Sequence, residues 1–244
     1  MATAAAETDT PDKRTPAPAA KAGPSLNDTY LLLYNTAGAV GWNLTLYKIG
    51  TALLQGGGVR GAVEATHDTV AALQLVSTLE FVHACVGLVK SNPMNVFMQV
   101  VGRDLALFSV VTAFPPVRGS PWVLLMFAAW ATSEVIRYPF YALSTAGVCP
   151  KALQWLRYTA FIALYPLGFA GELGTWIVGL PYIKAVGPPG VPGLPEGSSI
   201  YALYAYIAAA FVVGAPKLYM HMLRQRKKQL GAAAARGDAK AKSS

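Results

Sequence analysis

Tyr165 and Glu172 stand seven residues apart in an otherwise apolar stretch. On an α-helix, seven steps of 100° fall about 20° short of two turns, so phenol and carboxyl share a face, their Cα atoms about 10.5 Å apart along the axis. Pro166, Gly168, Gly171 and Gly174 surround them. Proline removes one helical hydrogen bond, and glycine lets a second backbone or a ligand come close. A phenol and a carboxyl facing one cavity make a proton donor and acceptor. The same spacing also fits a tyrosine at a helix seam and a glutamate paired with an arginine.

Further ionisable residues sit in apolar surroundings: Glu80 and His83, Arg103 and Asp104, Glu134 and Arg137, and Arg157. Such side chains are costly in a membrane span, so they mark a site or an internal pair. Glu80/His83 and Glu134/Arg137 are both at i, i+3, hence neighbours on one helix face and able to pair. Contacts that only fix helix packing are the alternative to a functional role. The run His83–Ser91 has the outline of a Cys-x5-Arg phosphate loop. Ala84 interrupts it, however, and the lysine at its end, Lys90, cannot supply the planar fork of the arginine that the chemistry needs. Three histidines and two cysteines are scattered without ligand spacing, so neither a metal centre nor a disulfide framework is expected.

The elements that must position these residues are apolar. The chain has 244 residues, 54% of them hydrophobic, and a net charge of +8. Residues 30–223 hold ten basic and seven acidic side chains. That is about a third of the charge density of an ordinary soluble domain, about 25%. A water-soluble enzyme is excluded on this ground. Residues 224–244 carry seven basic residues and one acidic, so most of the excess charge is tail and no nucleic-acid partner is expected.

Six apolar segments follow one another, at about 30–54, 69–89, 95–115, 121–144, 153–180 and 200–222. Each approaches the roughly 20 residues a helix needs to cross a bilayer. No period-2 pattern is sustained, so an all-α bundle of six transmembrane helices is expected rather than a barrel. The signal is strongest for the first, fourth and sixth segments and weaker for the second and third. Gly56-Gly57-Gly58, Ser91-Asn92-Pro93, Pro115-Pro116 and the Gly/Pro loop 187–193 separate them. Residues 1–29, rich in Ala, Pro and Thr, are expected to be disordered. Six spans put both termini on one side, and Arg224-Gln225-Arg226-Lys227-Lys228 places that side in the cytosol. Lys240-Ala241-Lys242-Ser243-Ser244 has the K-x-K-x-x form of an endoplasmic-reticulum retrieval signal.

From Tyr30 to Lys228 the chain resembles the very-long-chain 3-hydroxyacyl-CoA dehydratases of the endoplasmic reticulum, the family first named as protein-tyrosine-phosphatase-like. The resemblance rests on Tyr30–Asn35, Gly41-Trp42, Leu79–His83, Gln99 and Arg103. It is strongest at Glu134–Tyr138, Leu156–Tyr158, Leu164–Gly168 and Gly171-Glu172. It departs at the inserted Ala84, and at Leu167 and Gly171, where small polar residues are expected. The resemblance implies dehydration of 3-hydroxyacyl-CoA to trans-2-enoyl-CoA, the third step of fatty-acid elongation. It further implies Tyr165 and Glu172 as the catalytic pair, with Glu134, Arg137, Arg157 and Gly168 supporting them. No cofactor is implied, and the condensing enzyme and reductases of elongation are the implied partners.

If the fifth helix enters from the cytosol near Leu153, Tyr165 lies about 18 Å deep and Glu172 about 28 Å. An acyl-CoA would then thread in from the cytosolic mouth, with Lys90, Lys151 and Arg157 as candidate phosphate contacts or as mere helix-flanking anchors. A non-catalytic scaffold for elongation enzymes is the alternative. A transporter would show inverted repeats, and none is visible.

Overall fold

The computed structural model describes residues 25–186 and 198–241, and every secondary element in them is helical. Helix α1 spans Leu26–Leu54 and opens on a capping box in which Ser25 and Asp28 satisfy each other's backbone N–H groups. A turn with positive φ at Gly56 (+79°) and Gly58 (+60°) leads into α2, Gly58–Ser77. Helix α3, Leu79–Cys85, follows after a break at Thr78. Asn92 caps α4, Pro93–Ala106, which widens into a π turn over Leu107–Thr112. A short 3-10 turn, Pro115–Gly119, precedes α5, Pro121–Thr145, which is capped by Ser120 and has proline at its first position. Helix α6, Lys151–Arg157, and helix α7, Phe161–Val186, form one kinked rod. Helix α8, Ser198–Ala208, passes through a second π turn, Ala209–Gly214, into α9, Ala215–Ala241.

Helix α5 is the hub, packing on α1 on one side and on α7 on the other, with α2 against α1. Its side chains Met126, Phe127 and Trp130 join Trp42 and Trp176 in the buried core. The α5–α7 seam is close because α7 presents Gly168, Gly171 and Gly174 to it. A Cβ on Gly171 would stand 2.6 Å from the Met126 backbone nitrogen. The small polar side chain expected at this position is therefore excluded by packing, whatever its chemistry.

Three helical segments among the described residues are long and apolar enough to cross a membrane: Pro93–Thr112, Lys151–Val186 and Tyr201–Lys228. The chain is accordingly a membrane protein. The strengths differ from the sequence reading, since α1 and α5 fall outside this set and the third segment, read as weak, falls inside it. Asn35, Asn43 and Lys48 dilute α1, and Glu134 and Arg137 dilute α5. The second segment also begins earlier than expected, at Gly58 rather than near residue 69. Its polar residues, which resemble a loop, are satisfied in the helix. Arg60 and Arg118 both reach Glu64, at 3.5 and 2.9 Å, and His67 meets Thr112 at 3.0 Å. These contacts bring the α1–α2 turn and the 3-10 turn to one end of the bundle. Helix α9 runs unbroken through the basic run 224–228. The N-terminal tail up to residue 24, the Gly/Pro loop 187–193 and the last three residues of the retrieval motif lie outside the described residues.

The packing predicts opposite effects for two glycine-to-alanine changes. Gly171→Ala should destabilise the protein by about 1–3 kcal/mol through overpacking against Met126. Gly61→Ala, whose new Cβ meets nothing within 4 Å inside α2, should stabilise it by about 0.5–1 kcal/mol. Thermal unfolding in detergent reads both, and equal shifts would contradict the close α5–α7 approach.

Candidate active site

Four charged side chains of the interior form one connected set that begins on α5. Glu134 is fully buried and accepts hydrogen bonds from Arg103 of α4, at 2.6 Å, and from Arg137 one turn along its own helix. Arg137 in turn grips Glu80 of α3 with two N–H donors, each at 2.7 Å. Tyr138 donates to the same Glu80 carboxylate at 2.7 Å. Two carboxylates and two guanidiniums thus alternate across three helices and cancel in formal charge. Each group left alone would carry a desolvation penalty of several kcal/mol, so the set is stable only when complete.

The i, i+3 spacing of Glu134 and Arg137 produces the pairing it allows. Glu80 and His83 do not pair. Glu80 faces Arg137, while His83 bonds Tyr30 of α1 at 2.8 Å. Arg103 and Asp104 point to different partners, Asp104 accepting from Gln74 of α2 at 3.1 Å.

Glu172 joins the set through a tryptophan. Trp130, 2% exposed, donates its indole N–H to Glu172 at 2.8 Å, and the Arg103 guanidinium lies 5.1 Å from the centre of its ring. The ring is thereby held between a cation and the carboxylate it serves. Trp130 is the sole hydrogen-bond donor to Glu172 among the described residues. No cation lies within ion-pair distance of Glu172 among those residues, unlike Glu80 and Glu134.

Tyr165 lies on the same helix, about two turns before Glu172. Its ring stacks on Tyr219 of α9 at 5.6 Å and meets Phe169 edge-on at 4.4 Å. Its hydroxyl is buried and has no hydrogen-bond partner among the described residues. Burying a hydroxyl without a partner is unfavourable, which leaves Tyr165 with an unused proton to donate. The two groups expected to share a face therefore differ in surroundings: the carboxyl is oriented by protein and the phenol is free.

The other expected site residues divide. Gly168 is buried at the α5 seam, 3.9 Å from Ala129 to its would-be Cβ. Arg157 sits at the end of α6, where it reaches the Tyr141 hydroxyl at 3.3 Å and stacks over that ring. Its Nε is buried without a partner. Lys90 and Lys151 are exposed, and neither enters the network. Sequence reasoning missed Trp130. Its signal was position, because a tryptophan one turn before Glu134 in mid-span departs from the interfacial belt where tryptophans collect. Among the described residues no three His, Cys, Asp or Glu side chains converge as a metal site would require.

Residues 74–232 match the family described as protein tyrosine phosphatase-like protein, PTPLA. A mouse protein named very-long-chain (3R)-3-hydroxyacyl-CoA dehydratase 1 is 32% identical over 209 residues, 84% of this chain and 74% of that protein. The human protein named very-long-chain (3R)-3-hydroxyacyl-CoA dehydratase 2 is also 32% identical, over 84% of this chain and 82% of its own length. The Caenorhabditis elegans protein named very-long-chain (3R)-3-hydroxyacyl-CoA dehydratase hpo-8 is 36% identical over 83% of this chain and 95% of its own. No solved structure gives a significant match.

The alternating network predicts a large penalty for breaking it at its middle. Arg137→Met should cost about 3–5 kcal/mol, because a fully buried carboxylate and a half-buried one lose a cation together. Adding Glu80→Gln to that variant should recover part of the loss. Detergent-phase thermal melts check both steps, and a neutral Arg137→Met would contradict the charge balance.

Proposed function

This chain belongs to the protein tyrosine phosphatase-like family, and on that premise we propose that it dehydrates long-chain and very-long-chain 3-hydroxyacyl-CoA to trans-2-enoyl-CoA. One observation carries the reading. A buried phenol without a partner, Tyr165, stands on one helix with a carboxyl, Glu172, that a single indole N–H orients. Elimination of water needs one group to take a proton from C2 and one to give a proton to the oxygen on C3.

In our assignment Glu172 is the base and Tyr165 the donor. Glu172 takes the C2 proton, and the electron pair of that C–H bond becomes the new double bond. The C3–O bond breaks, and the oxygen leaves as water with the proton from Tyr165. The proton on Glu172 then returns to the Tyr165 oxygen and resets the site. One proton taken and one given balance the reaction with no oxidant or reductant, so we assign no cofactor. Trp130 holds one carboxylate oxygen and fixes which face of Glu172 meets the substrate. The ion network of Arg103, Glu134, Arg137 and Glu80 holds Trp130 and the helices that bear it, and Gly168 keeps α7 against α5. We assign Arg157 to the CoA end of the substrate, with Lys90 and Lys151 as further phosphate contacts at the same mouth.

The reading extends to the cell. In our reading α2–α3, α4 with its π turn, α6–α7 and α8–α9 each make one crossing beside α1 and α5, six in all, with both termini in the cytosol. The basic tail supports that orientation. We place the protein in the endoplasmic reticulum membrane, with the condensing enzyme and reductases of fatty-acid elongation as its partners.

Two measurements test the chemistry. Purified protein in detergent, given a long-chain 3-hydroxyacyl-CoA, should form the enoyl thioester, and Glu172→Gln and Tyr165→Phe should each lower kcat by about 10²–10⁴-fold. Near-normal turnover by folded Tyr165→Phe would overturn the donor role. Trp130→Phe keeps the ring beneath Arg103 but removes the N–H, and should lower kcat about 10–100-fold, the worth of one hydrogen bond to a charged group. An unchanged kcat would show that Glu172 needs no such orientation.

A further inference from the structure

Beside the ring of Tyr165, between α7 and the helical arm made by the second π turn and α9, lies an apolar cleft of about 370 Å³. Tyr219 stacks on Tyr165 at one level and Phe211 meets Phe169 at 5.5 Å at another. Between these two contacts Ala215 and Pro216 line the wall. From Tyr219 to Phe211 is eight residues, about 12 Å of helix. Phe211 lies in the π turn, whose widened backbone sets it into the cleft.

Past Tyr219 in the other direction, α9 runs back along the start of α7. Tyr219 meets Phe161 at 5.9 Å and bonds the Ile162 carbonyl at 3.4 Å. Seven residues further on, hence on nearly the same face and about 10.5 Å away, is Arg226. Its Nε is buried and unpartnered, as is the Nε of Arg157, which precedes Tyr165 at that end of α7. Among the described residues neither arginine has an acidic side chain within ion-pair distance. Two guanidiniums, each with a buried Nε unpartnered among the described residues, thus lie on one side of Tyr165 along the helices, and the apolar cleft runs from Tyr165 the other way.

We propose that α7 and α9 together form a track for an acyl-CoA, with Arg226 and Arg157 taking the phosphates of the CoA head and the cleft up to Phe211 taking the acyl chain. The guanidinium fork suits phosphate oxygens in a way a lysine does not. The order along the track matches the molecule: phosphates at the arginines, pantetheine beside the upper turns, thioester and C3 hydroxyl at Tyr165, where Glu172 stands on the α5 side of the same helix, and hydrocarbon beyond. The track rests on the dehydratase reading for its ligand, and it adds Arg226 and Phe211 to the residues that read the substrate. The exposed basic residues that follow on α9 lie on other faces, which separates this role from a general attraction to anionic lipid.

The test compares full-length protein and variants on a long-chain 3-hydroxyacyl-CoA and on the matching 3-hydroxyacyl-pantetheine, which lacks the phosphates beyond pantetheine. Arg226→Gln should raise KM for the CoA thioester about tenfold more than KM for the pantetheine thioester. Arg226→Lys should recover only part of the difference. Phe211→Trp should lower kcat/KM for the longest chain about tenfold more than for a medium chain. If Arg226→Gln shifts both thioesters equally, or neither, the phosphate role fails. If Phe211→Trp scales all chain lengths alike, the cleft is not the acyl site. Should wild-type protein release no enoyl product at all, the dehydratase reading fails. The track is then judged by equilibrium binding of a saturated acyl-CoA, which cannot be dehydrated, against its pantetheine analogue. Equal loss of affinity for both in Arg226→Gln overturns it.

Discussion

Ionised side chains in a bundle built of apolar helices must cancel one another within the protein, and the rest of this structure follows from how that is done. Glu134 at the middle of α5 is enclosed completely, and two arginines from two helices reach it. Arg137 is held on its other side by Glu80. The set fixes α3 and α4 against α5 at a depth where hydrophobic contact with neighbouring lipid gives no preference for one helix partner over another. Replacing such a network with well-packed apolar residues is often neutral or stabilising, so stability alone does not explain its presence. Its geometry points elsewhere, to the tryptophan stacked under Arg103.

Through Trp130 the balanced network acts on the one carboxyl that it does not neutralise. Glu172 receives an indole N–H and no ion pair among the described residues, which leaves it able to accept a proton. The glycines of α7 make this contact possible. With a side chain at Gly171, α7 would stand away from α5 and Trp130 would not reach Glu172. Packing, charge balance and the orientation of Glu172 are in this way linked through α5. It carries the hub tryptophan and the hub glutamate one turn apart.

Much of this was legible in the residues alone, and the limit is physical. Tyr165 and Glu172 stand out because helical periodicity puts seventh neighbours on nearly one face, yet their catalytic pairing comes from the family resemblance. In the bundle Glu172 turns to Trp130 while Tyr165 packs on Phe169 and Tyr219. Glu134 and Arg137 stand out by the same periodicity, at three residues. What escaped were contacts between segments far apart in sequence. Glu80 seemed the natural partner of His83, but the partner that holds it is 57 residues away. Trp130 was passed over because a tryptophan in an apolar segment resembles filling, and only its neighbours on α4 and α7 turn it into a clamp. The start of α2 is hidden in the sequence because Arg60, Glu64 and His67 look like a loop until their partners on the π and 3-10 turns are known. Periodicity reports what one helix can do, whereas selection among partners is a property of the packed bundle.

In the proposed reaction Glu172 removes the proton from C2 inside the bundle. The most direct test of this step follows a long-chain 3-hydroxyacyl-CoA deuterated at C2, with loss of label to solvent measured by mass spectrometry on purified protein. The account predicts that wild-type protein releases one label for each enoyl product, and that folded Glu172→Gln leaves the label in place. Release of the label by Glu172→Gln at the wild-type rate would contradict it.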